Sequence, residues 1–191
     1  MRPKSSKANR ERFADPGDTI YDFMAQGILV ECPDCGGCAT HRPIAAHVNT
    51  RDWFAPRRLI CPVCSLAREW PPRTAGQPDR GISWRWYETP ARDAYFGALL
   101  WIRGRFGAKE IWAYNWAHLD LIESHVAATH RIRGDDRRPP PYPRTFDCRT
   151  FLSRLPKWIV SAKNRDQVLA TIARIREVRG TQGASTPRRR K

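Results

Sequence analysis

Two short stretches, CPDC at residues 32–35 and CPVC at residues 61–64, constrain this chain more than any other feature. Each sits inside a longer unit, ILVECPDCGGCATHRPI and RRLICPVCSLAREW, in which a β-prone run enters a Cys-Pro-x-Cys turn and a second run leaves it. The pattern predicts a pair of knuckle hairpins, with proline and glycine shaping turns whose amides can point at thiolate sulfurs. Two pairs of thiolates suit a tetrahedral ion, so Cys32, Cys35, Cys61 and Cys64 are the expected ligands of one zinc. Four sulfurs leave no open position for water or substrate, which makes such a site structural. The 25 residues between the pairs exceed the about 15–20 usual in this kind of pattern. That length is tolerable, because the entropy of closing a loop grows only logarithmically.

Cys38 and His41 compete for the same ion. Cys38 falls where the first hairpin should be leaving the metal, and reads as a small packed thiol. His41 or His47 in place of one cysteine gives a three-cysteine, one-histidine site, which is again structural. Cys32, Cys35 and Cys38 also have a spacing that an iron–sulfur cluster permits.

Paired cysteines read as metal ligands only where thiols stay reduced, so the compartment matters. The N-terminal MRPKSSKANRERFADPGDT is charged, with no apolar stretch of signal-peptide length behind it. No apolar run approaches the roughly 18 residues of a membrane helix. A cytoplasmic protein is expected, with no membrane partner.

The formal charge of +15 is unevenly placed. Residues 1–12 carry five basic side chains against one acid, and Arg188, Arg189, Arg190 and Lys191 end the chain. Tails of this kind favour polyanions, nucleic acid above all, through counterion release and long-range steering.

The chain divides by composition into four parts. Residues 1–18 read as a flexible basic arm ending in the turn signal DPGD, 19–72 as a zinc ribbon, 73–180 as an α+β domain ending in a long helix, and 181–191 as a disordered basic tail. PPRTAGQPDRG at 71–81 and RGDDRRPPPYPRT at 133–145 read as loops. ISWRWYE alternates like a strand. ALLWIRGRFGAKEIWAYN predicts two strands joined by a turn at residues 104–107. Asn115 is placed to cap a helix over 116–132 with Leu119, Ile122, Val126 and Thr129 on one side. A short turn over 151–155 should precede a helix over 156–178, its buried stripe formed by Trp158, Ile159, Ala162, Val168, Leu169, Ile172 and Ile175. The expected fold class is α+β: a four-cysteine ribbon, a small antiparallel sheet and two main helices.

Three stretches together, the knuckles CPDCGG and CPVC, then EIWAYNWAHLDLIESHV, then LSRLPKWIVSAKNRDQVLATIARIR, resemble a family of bacterial proteins of unknown function with a zinc ribbon of the transcription-factor-IIB type. The resemblance implies a zinc-binding fold and a bacterial source, and brings no activity with it. Members often carry cysteines just before the segment matching IWAYN. GRFGAKEIWAYN has none, so a second metal is not expected there.

Catalytic patterns are weak. His118 with Asp120, and His125 with Glu123, are conceivable acid–base pairs on one helix, yet neither matches a nucleophile–base or metal-ligand spacing. Cys148 in TFDCRTF lacks any flanking signature of a nucleophile. Trp84, Trp86, Trp112 and Trp116 interleave with Arg85, Arg103 and Arg105, a combination able to grip single-stranded nucleic acid but also explained by packing. The last helix places Lys163 and Arg174 opposite its apolar stripe. The expectation is a non-catalytic, nucleic-acid-associated accessory protein using Lys163, Arg174, Arg85, Arg188, Arg189 and Arg190. The alternative is a zinc-stabilised adaptor that contacts another protein through its tryptophans.

Overall fold

The computed structural model describes residues 12–44, 55–70, 91–132 and 150–182. The alternating segment 82–87, both proline-rich loops, His47, Arg85, Cys148 and Arg188–Arg190 lie outside them.

The two Cys-Pro-x-Cys units form a four-stranded antiparallel sheet in the order β2-β3-β4-β5, with β2 at Ile28–Glu31, β3 at Cys38–Pro43, β4 at Arg57–Ile60 and β5 at Ala67–Trp70. Register pairs Glu31 with Cys38 across the first turn and Ile60 with Ala67 across the second, so both turns lie at the same end of the sheet. Thr40 opposite Ile60 joins the two hairpins.

Ahead of β2 stands α1, Ile20–Gln26, an element absent from the sequence expectations. The Asp22 carboxylate accepts from Thr19 N at 2.9 Å and Thr19 Oγ1 at 2.8 Å, tying down the helix start. Ile20, Phe23 and Met24 are buried, each contributing about 1.5–3 kcal/mol if fully withdrawn from water.

The hairpin expected in ALLWIRGRFGAKEIWAYN forms from β6, Ile102–Phe106, and β7, Lys109–Ala113. Its turn contains Gly107 at φ 59°, whereas Gly104 lies within the strand. Asn115 caps α2, Trp116–Ala127, with its side chain accepting from His118 N at 2.9 Å. Leu119, Ile122 and Val126 are buried as expected.

The helix stops at Ala127 instead of reaching 132, because residues 130–132 are taken as a strand. This β8, His130–Ile132, pairs in parallel with β1, Arg12–Ala14. Residues 12–18 are therefore packed chain, not arm: Thr150 Oγ1 donates to Asp15 Oδ2 at 2.7 Å and Phe151 N donates to Asp18 O at 2.9 Å.

Past a 3-10 turn at Phe151–Arg154, the expected single helix is broken. It runs as α3, Lys157–Val160, a 3-10 turn at Ala162–Asn164, and α4, Arg165–Gln182. Ser161 is extended at ψ 131°, and side chains meet the carbonyls freed there: Arg131 Nη1 donates to Val160 O and Asn164 Nδ2 to Trp158 O, both at 2.8 Å. Ala162 is consequently exposed, while Ile159, Val168, Ile172 and Ile175 remain buried. Thr181 and Gln182 extend the helix into the stretch read as tail.

One hydrophobic core runs across the division drawn at residue 72. Val30 bridges to Leu100, Leu29 N donates to Tyr114 O at 2.8 Å and Trp101 N donates to Leu29 O at 3.0 Å. The cysteine-bearing sheet is thus continuous with the rest of the molecule. Gly104 opens the other face of the core, where β6 meets α4 against Ile175. Among the described residues the fold is mixed α and β, with small antiparallel sheets, the parallel β1–β8 pair and four α-helices.

Candidate metal centre

The two turns bring four sulfurs together. The ligand atoms of Cys32, Cys35, Cys61 and Cys64 all lie within 4.8 Å of one another. Cys32 Sγ is 3.6 Å from Cys64 Sγ, and Cys35 Sγ is 3.6 Å from Cys61 Sγ. A disulfide needs about 2.05 Å, so these are free thiols. Sulfurs at about 2.3 Å from a tetrahedral zinc stand roughly 3.8 Å apart, close to the spacing found.

Each turn is fixed by its own backbone. Cys32 N donates to Gly37 O at 2.7 Å, Gly36 N to Cys32 O at 2.9 Å, and Cys61 N to Leu66 O at 2.9 Å. Gly37 N donates to Cys35 Sγ at 3.4 Å. Gly36 holds φ 71°, and Ser65 holds the same place in the second turn at φ 60°. The turns also touch: a Cβ on Gly37 would stand 3.2 Å from Val63 Cγ2 and 3.3 Å from Cys35 Sγ.

Crowded, partly desolvated thiols resist ionising together. Burial pushes Cys32 up and Cys35 up to about 12. Burial also raises Cys61, but the amides of Cys64 and Val63 and the neighbouring thiols hold it below its usual value overall. A divalent cation reverses this balance by supplying the charge that the thiolates share. The four cysteines could hold a metal ion.

The competitors fall away on geometry. Cys38 lies on β3, outside the cluster, its thiol raised to about 11 by burial first and then by Cys61. His41 is wholly buried, with Nε2 3.3 Å from Asp93 Oδ1. The Asp93 carboxylate also accepts from the amides of Tyr95, Phe96 and Ala98 at 2.8–2.9 Å, which fastens the 93–98 loop. Burial lowers His41 and outweighs the attraction of Asp93. Arg57, buried beside them, places its guanidinium 4.2 Å from the Tyr95 ring centroid. No spacing rule joins His41, Asp93 and Arg57 in the sequence, where His41 reads as a competing ligand and the other two as surface residues.

The acid–base pairs do not assemble. His118 is fully buried, and its Nδ1 accepts from Tyr114 N at 3.1 Å. Asp120 lies outside, bonded together with Glu123 to Arg176. His125 meets Phe13 edge-on at 5.4 Å.

Of the expected nucleic-acid residues, Lys163 and Arg174 are exposed and Arg174 Nη2 donates to Arg105 O at 3.3 Å. Lys163 lies in the 3-10 turn and Arg174 in α4, and α4 is not a basic face throughout. Arg176 is held by Asp120 and Glu123, Arg179 by Glu31, and Arg165 donates to Ala128 O. Arg103 is likewise paired with Glu31 and Glu110.

No helix among the described residues is long and apolar enough to cross a membrane. No protein-family model, curated protein sequence or solved structure matches the chain.

Proposed function

We propose that the chain is a zinc-binding, non-catalytic accessory protein that associates with nucleic acid. The observation that carries the reading is the closed set of four thiols at the shared end of two hairpins. Such a set supports zinc, because zinc matches thiolates at this spacing and tolerates tetrahedral geometry without strain. With every coordination position filled by sulfur, the ion holds the fold and does no chemistry. The hairpins and their ion are read as a ribbon of the transcription-factor-IIB type, in keeping with the bacterial family that the sequence resembles.

Charge supplies the partner. A chain with 34 basic residues against 19 acids is drawn to polyanions. Lys163 and Arg174 among the described residues, together with Arg85, Arg188, Arg189 and Arg190, are the expected contacts.

The test is anisotropy of a labelled oligonucleotide, single-stranded and duplex, titrated with the full zinc-loaded chain at several salt concentrations. Binding that weakens linearly in log salt, by about 0.9 per duplex phosphate contacted, supports the reading. Absence of salt-dependent binding to either form overturns it, and stoichiometric capture of a protein under the same conditions replaces it with the adaptor role.

A further inference from the structure

We propose that the outer end of the β6–β7 hairpin, together with α3 and the exposed side of α4, forms a surface for the phosphate backbone of nucleic acid, built from Arg105, Lys109, Lys157, Lys163 and Arg174 around the stacked rings of Phe106 and Trp158. This rests on the nucleic-acid reading above and gives it a location on the folded part of the chain.

The first support is where the charge falls. Residues 150–182 hold seven basic side chains against two acids, while residues 12–44 hold two against five. Within the basic segment, Lys157 precedes Trp158 in α3 and Lys163 lies in the following 3-10 turn, which is tied to α3 where Asn164 Nδ2 donates to Trp158 O at 2.8 Å. The hairpin end joins them: Phe106 stacks on Trp158 at 4.9 Å, and Lys109 Nζ lies over the same ring at 5.2 Å. Arg174 reaches the hairpin through its bond to Arg105 O.

The second support is how the carboxylates of the described residues are distributed. Arg58, Arg68, Arg103, Arg176 and Arg179 are each paired with a carboxylate. Among the described residues no ion pair engages Arg105, Lys109, Lys157, Lys163 or Arg174. Glu110, directly across the ladder from Arg105, is turned inward. Its carboxylate accepts from Ala91 N at 2.9 Å and lies 3.3 Å from Arg103 Nη1, with only 8% of the side chain exposed. The acid best placed to neutralise Arg105 is therefore used elsewhere.

Ring geometry decides what part of a nucleic acid this surface takes. Phe106 and Trp158 are stacked on each other and only half-exposed, so their faces serve to position Lys109 and not to receive a base. The contact is to phosphates and carries no direct base readout.

The test compares the salt dependence of oligonucleotide binding by the full zinc-loaded chain with that of two variants. One carries Arg105→Gln, Lys109→Gln, Lys157→Gln and Arg174→Gln; the control carries Arg42→Gln, Arg58→Gln and Arg68→Gln on the cysteine-bearing sheet. Matching far-ultraviolet spectra and zinc contents confirm that both fold. The surface predicts that the first variant loses about 0.9 in slope for each phosphate contact removed, and that the control keeps the parent slope. If the parent binds with a steep slope and the first variant is unchanged, the surface is wrong while the nucleic-acid reading stands. If the parent binds no nucleic acid, both fail. If polyglutamate competes better than the oligonucleotide and the first variant alone loses that competition, the surface serves an acidic protein and the proposal falls.

Discussion

A Cβ placed on Gly104 would lie 2.6 Å from Ile175 Cγ1 and 2.9 Å from Cδ1, so β6 and α4 touch through backbone on one side and a branched side chain on the other. Ile175 is 3% exposed on a helix, where β-branching leaves one favoured χ1, and it cannot swing aside. Gly104→Ala should therefore destabilise by about 1–3 kcal/mol through overpacking. In an Ile175→Ala background, which lacks both Cγ1 and Cδ1, the same Gly104→Ala change should cost less, and urea denaturation of the two single variants and the double variant measures the coupling. Additive losses would show that the two elements do not meet here.

The two cysteine turns differ at one equivalent backbone position, Gly36 at φ 71° and Ser65 at φ 60°. Nothing lies within 4 Å of a Cβ on Gly36, so Gly36→Ala tests backbone strain alone and should cost about 1–2 kcal/mol. Ser65→Gly should relieve the same strain and stabilise by up to about 1 kcal/mol, since the extra freedom of the unfolded glycine offsets part of the gain. Thermal unfolding at fixed zinc concentration reads both; a destabilising Ser65→Gly would contradict the account.

Burial lowers His118 from 6.5 to about 3. The folded value lies below the unfolded one, so the unfolded chain takes up the extra proton and stability falls as pH drops from about 6.5 toward about 3. His118→Phe removes the acceptor for Tyr114 N and should be less stable at neutral pH. Its unfolding free energy should also fall less steeply between about pH 6 and pH 5, by close to one proton. An unchanged slope would mean that His118 titrates as freely folded as unfolded.

Local signals were legible in the sequence and distant ones were not. The cysteine turns, the β6–β7 hairpin and the Asn115 cap each depend on a few adjacent residues, and each was foreseen. The β1–β8 pairing joins Arg12 to His130, and no local pattern announces a partner that far along the chain. The break at Ser161 depends on Arg131 meeting Val160 O, a contact across 29 residues that helical periodicity does not register. His41 was read only as a competing metal ligand, and Asp93 and Arg57 were not singled out, because burial of polar residues is decided by partners they meet only after folding. The basic face expected on α4 was likewise reduced by carboxylates of β2 and α2.

Asp15 joins the N-terminal segment to the start of the C-terminal one, with Gly17 N donating to Oδ1 at 2.9 Å and Thr150 Oγ1 to Oδ2 at 2.7 Å. Asp15→Ala should cost about 1–3 kcal/mol, since it leaves two partly buried donors without their acceptor. Deleting residues 1–18 should cost more, because Phe13 and the β1–β8 ladder go with them. Differential scanning calorimetry reads both changes; a deletion that leaves Tm unmoved would return residues 12–18 to the status of a loose arm.

The most direct test of the central claim is metal content by elemental analysis of the purified chain and of three single variants, Cys32→Ser, Cys61→Ser and Cys38→Ser. Structural zinc supplies on the order of 10–16 kcal/mol in small modules, so its loss should be accompanied by loss of the cysteine-bearing sheet. The account predicts one zinc per chain in the parent and in Cys38→Ser, and none in Cys32→Ser or Cys61→Ser. Iron in the parent, or zinc kept by Cys61→Ser and lost from Cys38→Ser, would contradict it.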